Sequence, residues 1–541
     1  MYLRLGSYYG MYGAILKLAT LFYKMALKVY SAELMEIKLT DQEEKIFDLL
    51  RAVVKDKAPG TTLRVAGGWV RDKLMGKGSN DIDISPDNMS GEQFANLVKD
   101  YMTEHGLKAG GVAVVKANPD QSKHLATAMI KIFGLPIDFV QLRTESYAQS
   151  RIPDVKPGTP EEDASRRDLT INSMFYNVNT GEVEDFVGGK EDLKNGIART
   201  PIDPVQTFLD DPLRILRTVR FAARYNLGLA PELVEAAKRP EVQDAFRNKV
   251  SKERIWSELA WKPEGKKPAA LTGPNPHLAA KLLEELGLRD IIFEILPQDV
   301  EKLHGEGEIV PFDADQQSPF HDLNIWGHTL KGLKEAVNIV RSNDQPAVED
   351  EAVAYLTVIL HDIGKRYTGI HGTHEKGHRT YHDHAKVSAD LARNILGRLK
   401  APNDIIDRVC KLIVLHMHLH ETGGEITPKT LRKIIGQIGN DYKILVQLSQ
   451  ADALGKGDIP EEERAQLEEK YQSFIPRFQE AQESMGGSTK PPRPISGHDL
   501  MELGVPQGKK MGEIFKALDE ALLQNPAITR EQAIEFAKRF I

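Results

Sequence analysis

The feature that most constrains this chain is an apolar stretch that runs into two glycines and is soon followed by two aspartates. Leu63–Ala66 has the composition of a buried strand, Gly67-Gly68 forms a turn, and Asp81 and Asp83 flank Ile82 in a second apolar stretch. Side chains of a strand alternate between its faces, so we expect Asp81 and Asp83 to point the same way. Two such carboxylates suit Mg²⁺, which prefers oxygen ligands. The pattern predicts a site where magnesium and phosphate meet.

The segment between these motifs carries Arg71 and Asp72. Glycines let a phosphate approach the backbone, and the guanidinium of Arg71 can pair with it. A Gly-Gly turn or an Asp-x-Asp strand alone is common in proteins without such a site, but their ordered combination is specific. It resembles motif A of the polymerase-beta-like nucleotidyltransferases, in particular the class II CCA-adding enzymes (tRNA nucleotidyltransferases) and the bacterial poly(A) polymerases.

Residues 165–174 begin polar and become apolar, as expected where a loop enters the last helix of a head domain. Arg166, Arg167, Asp168 and Asn172 could hold a triphosphate and a ribose hydroxyl. Taken alone, the segment is better explained as a helix start with a solvated charge cluster. Its wording resembles motif B of the family nearly residue for residue, and 185–200 resembles motif C, the hinge between head and neck.

A predicted helix after Pro212 places Arg214, Arg217 and Arg220 on one surface ridge, because residues three apart are neighbours on a helix. A solvated basic ridge is the default interpretation. The segment resembles motif D, whose usual Glu-Asp-x-x-Arg reads here Asp210-Asp211-x-x-Arg214. The resemblance implies that Asp211 and Arg214 select the nucleotide base without a nucleic-acid template, with Arg217 and Arg220 as further nucleotide-binding residues. The shortened first acid puts a role for Asp210 in doubt. Residues 252–259 resemble motif E.

The mechanism that the resemblance implies uses magnesium in the head. Asp81 and Asp83 would hold Mg²⁺ on the triphosphate of CTP or ATP while the 3′-hydroxyl of a tRNA attacks the α-phosphorus. Asp138, in the predicted strand at 136–142, is a further carboxylate that could help to activate the hydroxyl.

Histidines are concentrated in one part of the chain, with eleven of the sixteen between residues 321 and 420. Imidazole and carboxylate ligands from separate helices can hold a divalent transition metal that activates water against a phosphoester. The ordered series of His328, His361-Asp362 and Asp452 resembles the HD phosphohydrolase domain, with His384 and His416 as further candidate ligands. The tail from Ile495 resembles that of bacterial members with an HD domain.

The composition is consistent with this interpretation but does not by itself indicate it. The 541 residues suffice for several domains, and a net charge of −7 argues only weakly against a nucleic-acid binder because a local basic groove suffices. The single cysteine, Cys410, excludes an internal disulfide framework, and a cytoplasmic location is the simplest fit. Residues 1–34 are apolar and Tyr-rich, but their lysines interrupt any membrane span. An organelle presequence and a surface helix stay open, while an upstream extension before Met35 is favoured.

We predict an α+β head of the polymerase-beta-like type, with a small mixed sheet, followed by an all-α neck, body, HD domain and tail. The boundaries are an N-terminal extension at 1–37, the head at 38–177, the neck at 178–248, the body at 249–320, the HD domain at 321–456 and the tail at 457–541. Expected partners are the tRNA 3′ end, CTP and ATP, with no membrane; oligomeric state stays open.

The leading function is template-free addition or repair of the 3′-terminal CCA of tRNA, with phosphohydrolase activity in the HD domain. Alternatives are a poly(A) polymerase or an enzyme that adds only part of CCA. The retained HD histidines disfavour the polymerase, and the long loop at 144–165 disfavours CC-only addition. From a different class, the chain could be an HD phosphohydrolase with a degenerate head that grips RNA, but Asp81 and Asp83 are intact. A non-catalytic RNA-binding protein has almost no support.

Overall fold

The computed structural model describes residues 36–115, 127–146, 153–260, 268–301, 303, 307–317, 323–342, 346–420 and 426–541. The predicted N-terminal extension at 1–37 lies, except for its last two residues, outside this range. The chain divides into two compact units, Met1–Val250 and Ser251–Ile541. In the part of the chain that is described, no helix is long and apolar enough to cross a membrane.

The first unit is built on a seven-stranded mixed sheet. The strands of this unit are β1 Leu63–Ala66, β2 Ile82–Pro86, β3 Ala113–Val115, β4 Thr127–Ile132, β5 Leu135–Phe139, β6 Arg143–Ser146, β7 Asp154–Pro157, β8 Phe175–Asn177, β9 Val183–Glu184, β10 Ile197–Ala198 and β11 Gly228–Leu229. The order in the sheet is β3-β4-β5-β2-β1-β8-β9. Neighbouring strands of the sheet pair antiparallel, except that β2 and β5 pair in parallel. Strands β6 and β7 form a separate pair, as do β10 and β11. The predicted small mixed sheet of the head is confirmed.

One buried glutamate ties the first helix of this unit to the short helix after the Gly-Gly turn. Glu43 completes a capping box with Thr40 at the start of helix Asp41–Lys57. Its carboxylate also accepts hydrogen bonds from the Trp69 indole at 3.0 Å and from Lys73 Nζ at 2.5 Å. Because Trp69 and Lys73 lie in helix Gly68–Leu74, this contact helps to fix the helix that begins beside β1.

The helices of the first unit are Asp41–Lys57, Gly68–Leu74, Gly91–Glu104, Pro160–Ser165, Gly189–Asn195, Pro204–Asp210, Leu213–Tyr225, Pro231–Ala237 and Pro240–Lys249. The helix predicted after Pro212 is Leu213–Tyr225, and the separate helix Pro204–Asp210 precedes it. The chain breaks at Asp211, which is extended with φ −139° and ψ 98°. The cause is Pro212, because a proline disfavours helical geometry at the residue before it.

The second unit is almost wholly helical, as predicted. Its helices are Lys252–Leu259, Pro276–Glu285, Arg289–Ile292, Pro297–Val300, Ile325–Ser342, Val348–Leu360, His384–Arg398, Asn403–Leu415, Pro428–Ile438, Tyr442–Leu454, Glu461–Gln472, Phe474–Glu483, Gly497–Glu502, Lys509–Gln524 and Arg530–Lys538. Two short strands, β12 His371–Thr373 and β13 Arg379–Tyr381, form a hairpin. The C-terminal helices enclose a small core of their own around Leu500, Leu518 and Leu522.

Candidate functional sites

The predicted metal carboxylates lie at the centre of the sheet. Asp83 stands on β2 and pairs in register with Asp138 on the parallel strand β5. Paired residues of neighbouring strands point to the same face and lie about 5 Å apart, so these half-buried carboxylates are side by side. Asp81 immediately precedes β2 and is exposed. The three acids therefore offer oxygen ligands at one place, which is the donor set that Mg²⁺ prefers.

Gly67 allows the segment at 165–174 to pack against the turn. Its φ is +70°, a region that favours glycine, and a Cβ added there would lie 2.7 Å from Nη1 of Arg167. Its N–H donates to the carbonyl of Met174 at 3.1 Å. The sequence predicts that a phosphate approaches the backbone at these glycines. In the structure the group close to Gly67 is the Arg167 guanidinium. Gly68 begins the short helix and faces Arg71, whose Nη2 would lie 3.5 Å from an added Cβ.

Arg166 and Arg167 share a buried acid that the sequence interpretation missed. Asp163 accepts from Arg166 Nη2 at 2.5 Å and from Arg167 Nη2 at 2.7 Å, and its side chain is 2% exposed. Burial raises the pKa of the Asp163 carboxyl, but Arg167 and Arg166 outweigh it and bring the pKa to about 2. The sequence carried a sign of this contact. Asp163 precedes the two arginines by three and four residues, the spacing at which charged side chains meet on a helix.

Glu145 on β6 is a second missed acid. Its carboxylate lies 2.7 Å from Arg143 Nε, 3.1 Å from Arg166 Nη1 and 3.7 Å from Arg214 Nη2. The side chain is 3% exposed. Arg143 lies two residues away on the same strand, but Arg166 and Arg214 lie 21 and 69 residues away along the chain, so the contacts that matter for the site carry no local mark. One carboxylate therefore touches both the motif B-like arginine and the arginine proposed to read the base.

Asp168 and Asn172 join the head to the helix Leu213–Tyr225. Arg217 donates to Asp168 Oδ2 through Nε at 2.8 Å, and Asn172 donates to Asp168 Oδ1 at 2.9 Å. Burial raises the pKa of the Asp168 carboxyl, but Arg217 outweighs it and holds the pKa well below its usual range. Asp168 is therefore an ionised, buried partner of the neck arginine.

The expected surface ridge of arginines was wrong for two of its three members. Arg214 and Arg220 are 7% and 8% exposed, while the Arg217 side chain is 35% exposed. Arg214 also donates to the Thr207 carbonyl at 3.4 Å, and Arg220 lies over the Phe221 ring at 4.1 Å. These arginines face protein rather than solvent, because eleven of the thirteen residues of helix Leu213–Tyr225 are buried.

The two acids before this helix differ in their surroundings. Asp211 accepts from the backbone N–H of Leu213 at 3.3 Å, which leaves its carboxylate at the helix start. Asp210 instead accepts from Gln206 Nε2 at 2.6 Å, and burial raises its pKa. The structure thus places Asp211 and Arg214 at the same helix end.

A cluster of imidazoles and carboxylates lies in the second unit, and it contains every residue predicted for the HD metal. Nε2 of His328 lies 2.8 Å from Asp452 Oδ1, and Nε2 of His361 lies 3.4 Å from both Asp452 Oδ1 and Asp362 Oδ2. Nε2 of His384 lies 3.5 Å from Asp362 Oδ1. Two ligand triplets meet the spacing for a metal ion, namely His328, His361 and Asp452, and His361, Asp362 and His416.

Four of these histidines are oriented in the same way by the backbone. The Nδ1–H groups donate to carbonyl oxygens, those of Gly455 for His328 (3.1 Å), Val358 for His361 (2.7 Å), Tyr381 for His384 (3.2 Å) and Ile413 for His416 (2.6 Å). This tautomer leaves the lone pair on Nε2, the form in which histidine binds metals. The Nε2 atoms of His384 and His416 are buried and lack a hydrogen-bond partner among the described residues. A metal ion would satisfy both atoms by coordination.

His420 belongs to this cluster although the sequence interpretation left it out. Its Nε2 lies 2.9 Å from Asp452 Oδ2, and a hydrogen bond of 2.7 Å joins its Nδ1 to the hydroxyl of Tyr471. The signal was the spacing of four residues from His416, which brings two side chains to one face of a helical segment.

The electrostatics of the cluster favour a bound cation. Burial lowers the pKa of His361, but Asp362 and Asp452 outweigh it and raise the pKa to about 9. Burial and the neighbouring His361 hold the pKa of His416 well below its usual value, so His416 is neutral and able to act as a ligand. The two carboxylates that favour a proton on His361 would equally favour a metal cation in its place, and His416 supplies a neutral imidazole ligand.

A cavity of about 250 Å³ opens beside this cluster. The metal-type ligands on its wall are Asp362, His384, His416, His420 and Asp452, and the basic side chains are Lys365, His378, Arg379 and Lys456. Lys365 also lies 2.8 Å from Asp362 Oδ2. The cavity can accept a small anionic group next to the candidate metal ligands.

Two family models match the chain. The Poly A polymerase head domain covers residues 63–199, and the HD domain covers residues 325–465. The first therefore spans the carboxylates of β2 and the motif B-like segment, and the second spans the imidazole and carboxylate cluster.

Among similar proteins, the mitochondrial CCA tRNA nucleotidyltransferase of Candida glabrata is 32% identical over 93% of this chain and 96% of its own length. The mitochondrial CCA tRNA nucleotidyltransferase of Saccharomyces cerevisiae is 42% identical over 319 residues, which is little more than half of either chain (56%). In structure, a CCA-adding enzyme in complex with CTP has a TM-score of 0.56 at 19% identity, over 93% of this chain and 95% of that one. The chain therefore belongs to the family of CCA tRNA nucleotidyltransferases.

Proposed function

We propose that this chain adds or repairs the 3′-terminal CCA of tRNA, using CTP and ATP without a nucleic-acid template. The observation that carries the proposal is the register of β2 and β5, which sets Asp83 beside Asp138 next to the Gly67-Gly68 turn and the arginines of the 165–174 segment. Family membership supports the same reaction. The unbroken Asp-x-Asp motif argues against a degenerate head that only grips RNA.

In this proposal, Asp81 and Asp83 hold Mg²⁺ in the head. The side-by-side carboxylates of Asp83 and Asp138 fit a hard cation, because all the donors are oxygens. When bound there, Mg²⁺ supplies charge stabilisation for attack of the tRNA 3′-hydroxyl on the α-phosphorus. Asp138 is the neighbouring carboxylate that is placed to accept the hydroxyl proton.

The arginines bind the nucleotide. Arg71, Arg166 and Arg167, with the Gly67-Gly68 turn, form the triphosphate side of the proposed site. Asp72 and Asn172 hold Arg71, Asp163 holds Arg166 and Arg167, and Asp168 holds Asn172 and Arg217. Asp211 and Arg214 offer acceptors and donors that match the edge of a base. Arg217, the most exposed of the three neck arginines, is placed to contact the bound nucleotide, while the buried Arg220 supports the helix.

A second, hydrolytic function is favoured by the metal-type cluster beside the 250 Å³ cavity. His328, His361, Asp362 and Asp452 would hold a divalent transition metal, with His384, His416 and His420 as further ligands; their buried Nε2 donors fit such an ion better than Mg²⁺. When bound, the metal supplies Lewis-acid activation for hydrolysis of a phosphoester. Lys365, Arg379 and Lys456 are placed to attract the phosphate.

The predicted cytoplasmic location stays a prediction. The two fungal relatives carry the word mitochondrial in their names, and residues 1–35 lie outside the described range. Fractionation of cells that express the tagged chain, with cytosolic and mitochondrial marker proteins in parallel, decides between the two compartments.

The test of the main proposal is an incorporation assay. The purified chain receives Mg²⁺, tRNA that lacks its 3′ end, and labelled CTP or ATP. Ordered addition of C, C and A that then stops supports the proposal, whereas unlimited A addition indicates a poly(A) polymerase. No incorporation contradicts both.

Two variants separate the proposed sites. Asp81→Ala should abolish addition and keep metal-dependent hydrolysis of a phosphoester probe, and His361→Ala should do the reverse. If each change removed both activities, two independent sites would be ruled out.

A further inference from the structure

Hydrogen bonds that begin and end on helix Leu213–Tyr225 form a closed set of side-chain contacts around Arg71. We name it the head–neck ring, and its members are Tyr225, Asp72, Arg71, Asn172, Asp168 and Arg217. The hydroxyl of Tyr225 donates to Asp72 Oδ1 at 2.8 Å. The same oxygen accepts from Arg71 Nε at 2.9 Å and from Nη2 at 2.8 Å. Tyr225 and Arg71 therefore meet on one carboxylate oxygen.

The other half of the head–neck ring returns to the same helix. Nη1 of Arg71 donates to Asn172 Oδ1, and Asn172 donates to Asp168 Oδ1 at 2.9 Å. Asp168 in turn accepts from Arg217 at 2.8 Å. Arg217 and Tyr225 lie about two turns apart on helix Leu213–Tyr225, so this helix holds the Arg71 guanidinium from two points.

The aromatic residues of the helix also cover the face of the guanidinium. Arg71 Cζ lies 4.4 Å from the centre of the Tyr225 ring and 5.3 Å from that of Phe221, within the range of a cation–π contact. The Arg71 side chain is 5% exposed. An arginine carries five N–H groups. The head–neck ring uses three of those of Arg71, one each on Nε, Nη1 and Nη2.

Tyr225 is a neutral donor in this arrangement. Burial raises the pKa of its phenol to about 12, Asp72 adds to the rise, and Arg71 opposes it. The hydroxyl therefore keeps its proton, and can donate it to Asp72, throughout the pH range in which an enzyme of this kind is assayed.

We propose that Tyr225 is a positioning residue, which fixes Asp72 and through it aims Arg71 at the nucleotide phosphates. The proposal rests on the proposed function of the head. Tyr225 lies on the same helix as Arg214, so the residue that aims the phosphate ligand and the residue that reads the base move together. Arg71 lies against the Gly-Gly turn, because its Nη2 is 3.5 Å from the place of a Gly68 Cβ.

The test removes only the hydroxyl. Tyr225→Phe keeps the ring under Arg71, and the matched control is Tyr176→Phe, which changes another buried tyrosine of the same unit, 5% exposed. We expect Tyr225→Phe to raise both KM and the Kd for MgATP about three- to tenfold, with kcat within about twofold, because a phosphate contact acts equally in ground and transition states. Calorimetric titration of the full chain gives Kd. The Tm of Tyr225→Phe, from thermal unfolding, should match that of the Tyr176→Phe control.

A double-mutant cycle with Asp72→Ala, which removes the acceptor of the Tyr225 hydroxyl, tests the path. If Tyr225 acts through Asp72, adding Tyr225→Phe to Asp72→Ala should change Kd by less than about twofold, since interacting neighbours are not additive. If the double variant raised Kd by the product of the two single factors, the positioning role would be overturned.

The outcomes separate this inference from the proposed function. A wild-type chain that binds MgATP but adds no nucleotide contradicts the proposed function, and the Kd values of the variants still decide the positioning role. An active wild type in which Tyr225→Phe matches Tyr176→Phe in KM and Kd overturns the positioning role alone. A lower Tm with unchanged KM and Kd would assign Tyr225 a structural role and also overturn it.

Discussion

Loss of the buried Asp163 carboxylate should weaken the head. Asp163→Asn keeps the shape of the side chain but leaves the half-buried Arg166 and Arg167, whose side chains are 18% and 20% exposed, without the anion that they share. The folded carboxyl has a pKa of about 2 against an ordinary value of 3.8, and this difference corresponds to about 2.5 kcal/mol. Removing one partner of a buried ion pair costs about 3–5 kcal/mol, so we expect a loss of about 3 kcal/mol at pH 7.

The effect should fade in acid. Because the folded pKa lies below the unfolded one, the stabilisation by Asp163 is fully present above about pH 4 and is lost as the pH falls towards about pH 2. The stability gap between wild type and Asp163→Asn should therefore close between about pH 4 and pH 2, and should be constant from pH 5 to pH 7.

Hydrogen exchange in urea is the suitable assay, because a chain of two units has no single free energy of unfolding. The amides of helix Asp41–Lys57 report on the first unit. The matched control is Asp154→Asn, which breaks an exposed pair with Lys156 whose side chains are 68% and 70% exposed and should cost at most about 0.5 kcal/mol. If Asp163→Asn cost no more than this control, the reasoning from burial and charge would be wrong.

Further predictions concern the glycine packing, the metal cluster and the base-reading arginine. Gly91→Ala should destabilise the head by more than about 2 kcal/mol in the same hydrogen-exchange assay, because its Cβ would lie 2.2 Å from the Phe139 carbonyl oxygen. Gly78→Ala, with nothing within 4 Å, is its control and should be neutral. His420→Asn should lower the bound transition metal per chain, measured by elemental analysis, without changing nucleotide addition; an unchanged metal content would remove His420 from the ligands. Glu145→Gln should shift the ratio of CTP to ATP use by about two- to tenfold, because it weakens the support of Arg214, and an unchanged ratio would contradict that support.

Much of the head could be predicted from local sequence. The alternation at Asp81-Ile82-Asp83 and the Gly67-Gly68 turn depend on neighbours within a few residues, and the sheet that they belong to is confirmed. Helix breaks are local as well, since Pro212 alone explains the extended Asp211. The histidine-rich stretch likewise contained the imidazoles of the cluster in the second unit. Their orientation is partly local, because Nδ1 of His361, His384 and His416 contacts the carbonyl three residues earlier.

The tertiary structure decided the partners and the burial. Asp138 stands beside Asp83 only because β2 and β5 pair in parallel, 55 positions apart in register. Glu145, Tyr225 and Tyr471 bear no local mark, yet each touches a proposed site residue from a distant segment. The arginine spacing after Pro212 fixed which side chains share a helix face, but whether that face meets water or protein depends on what packs against it. Periodicity is a property of the local chain, whereas register and burial are properties of the folded whole, and the charges of this site depend on both.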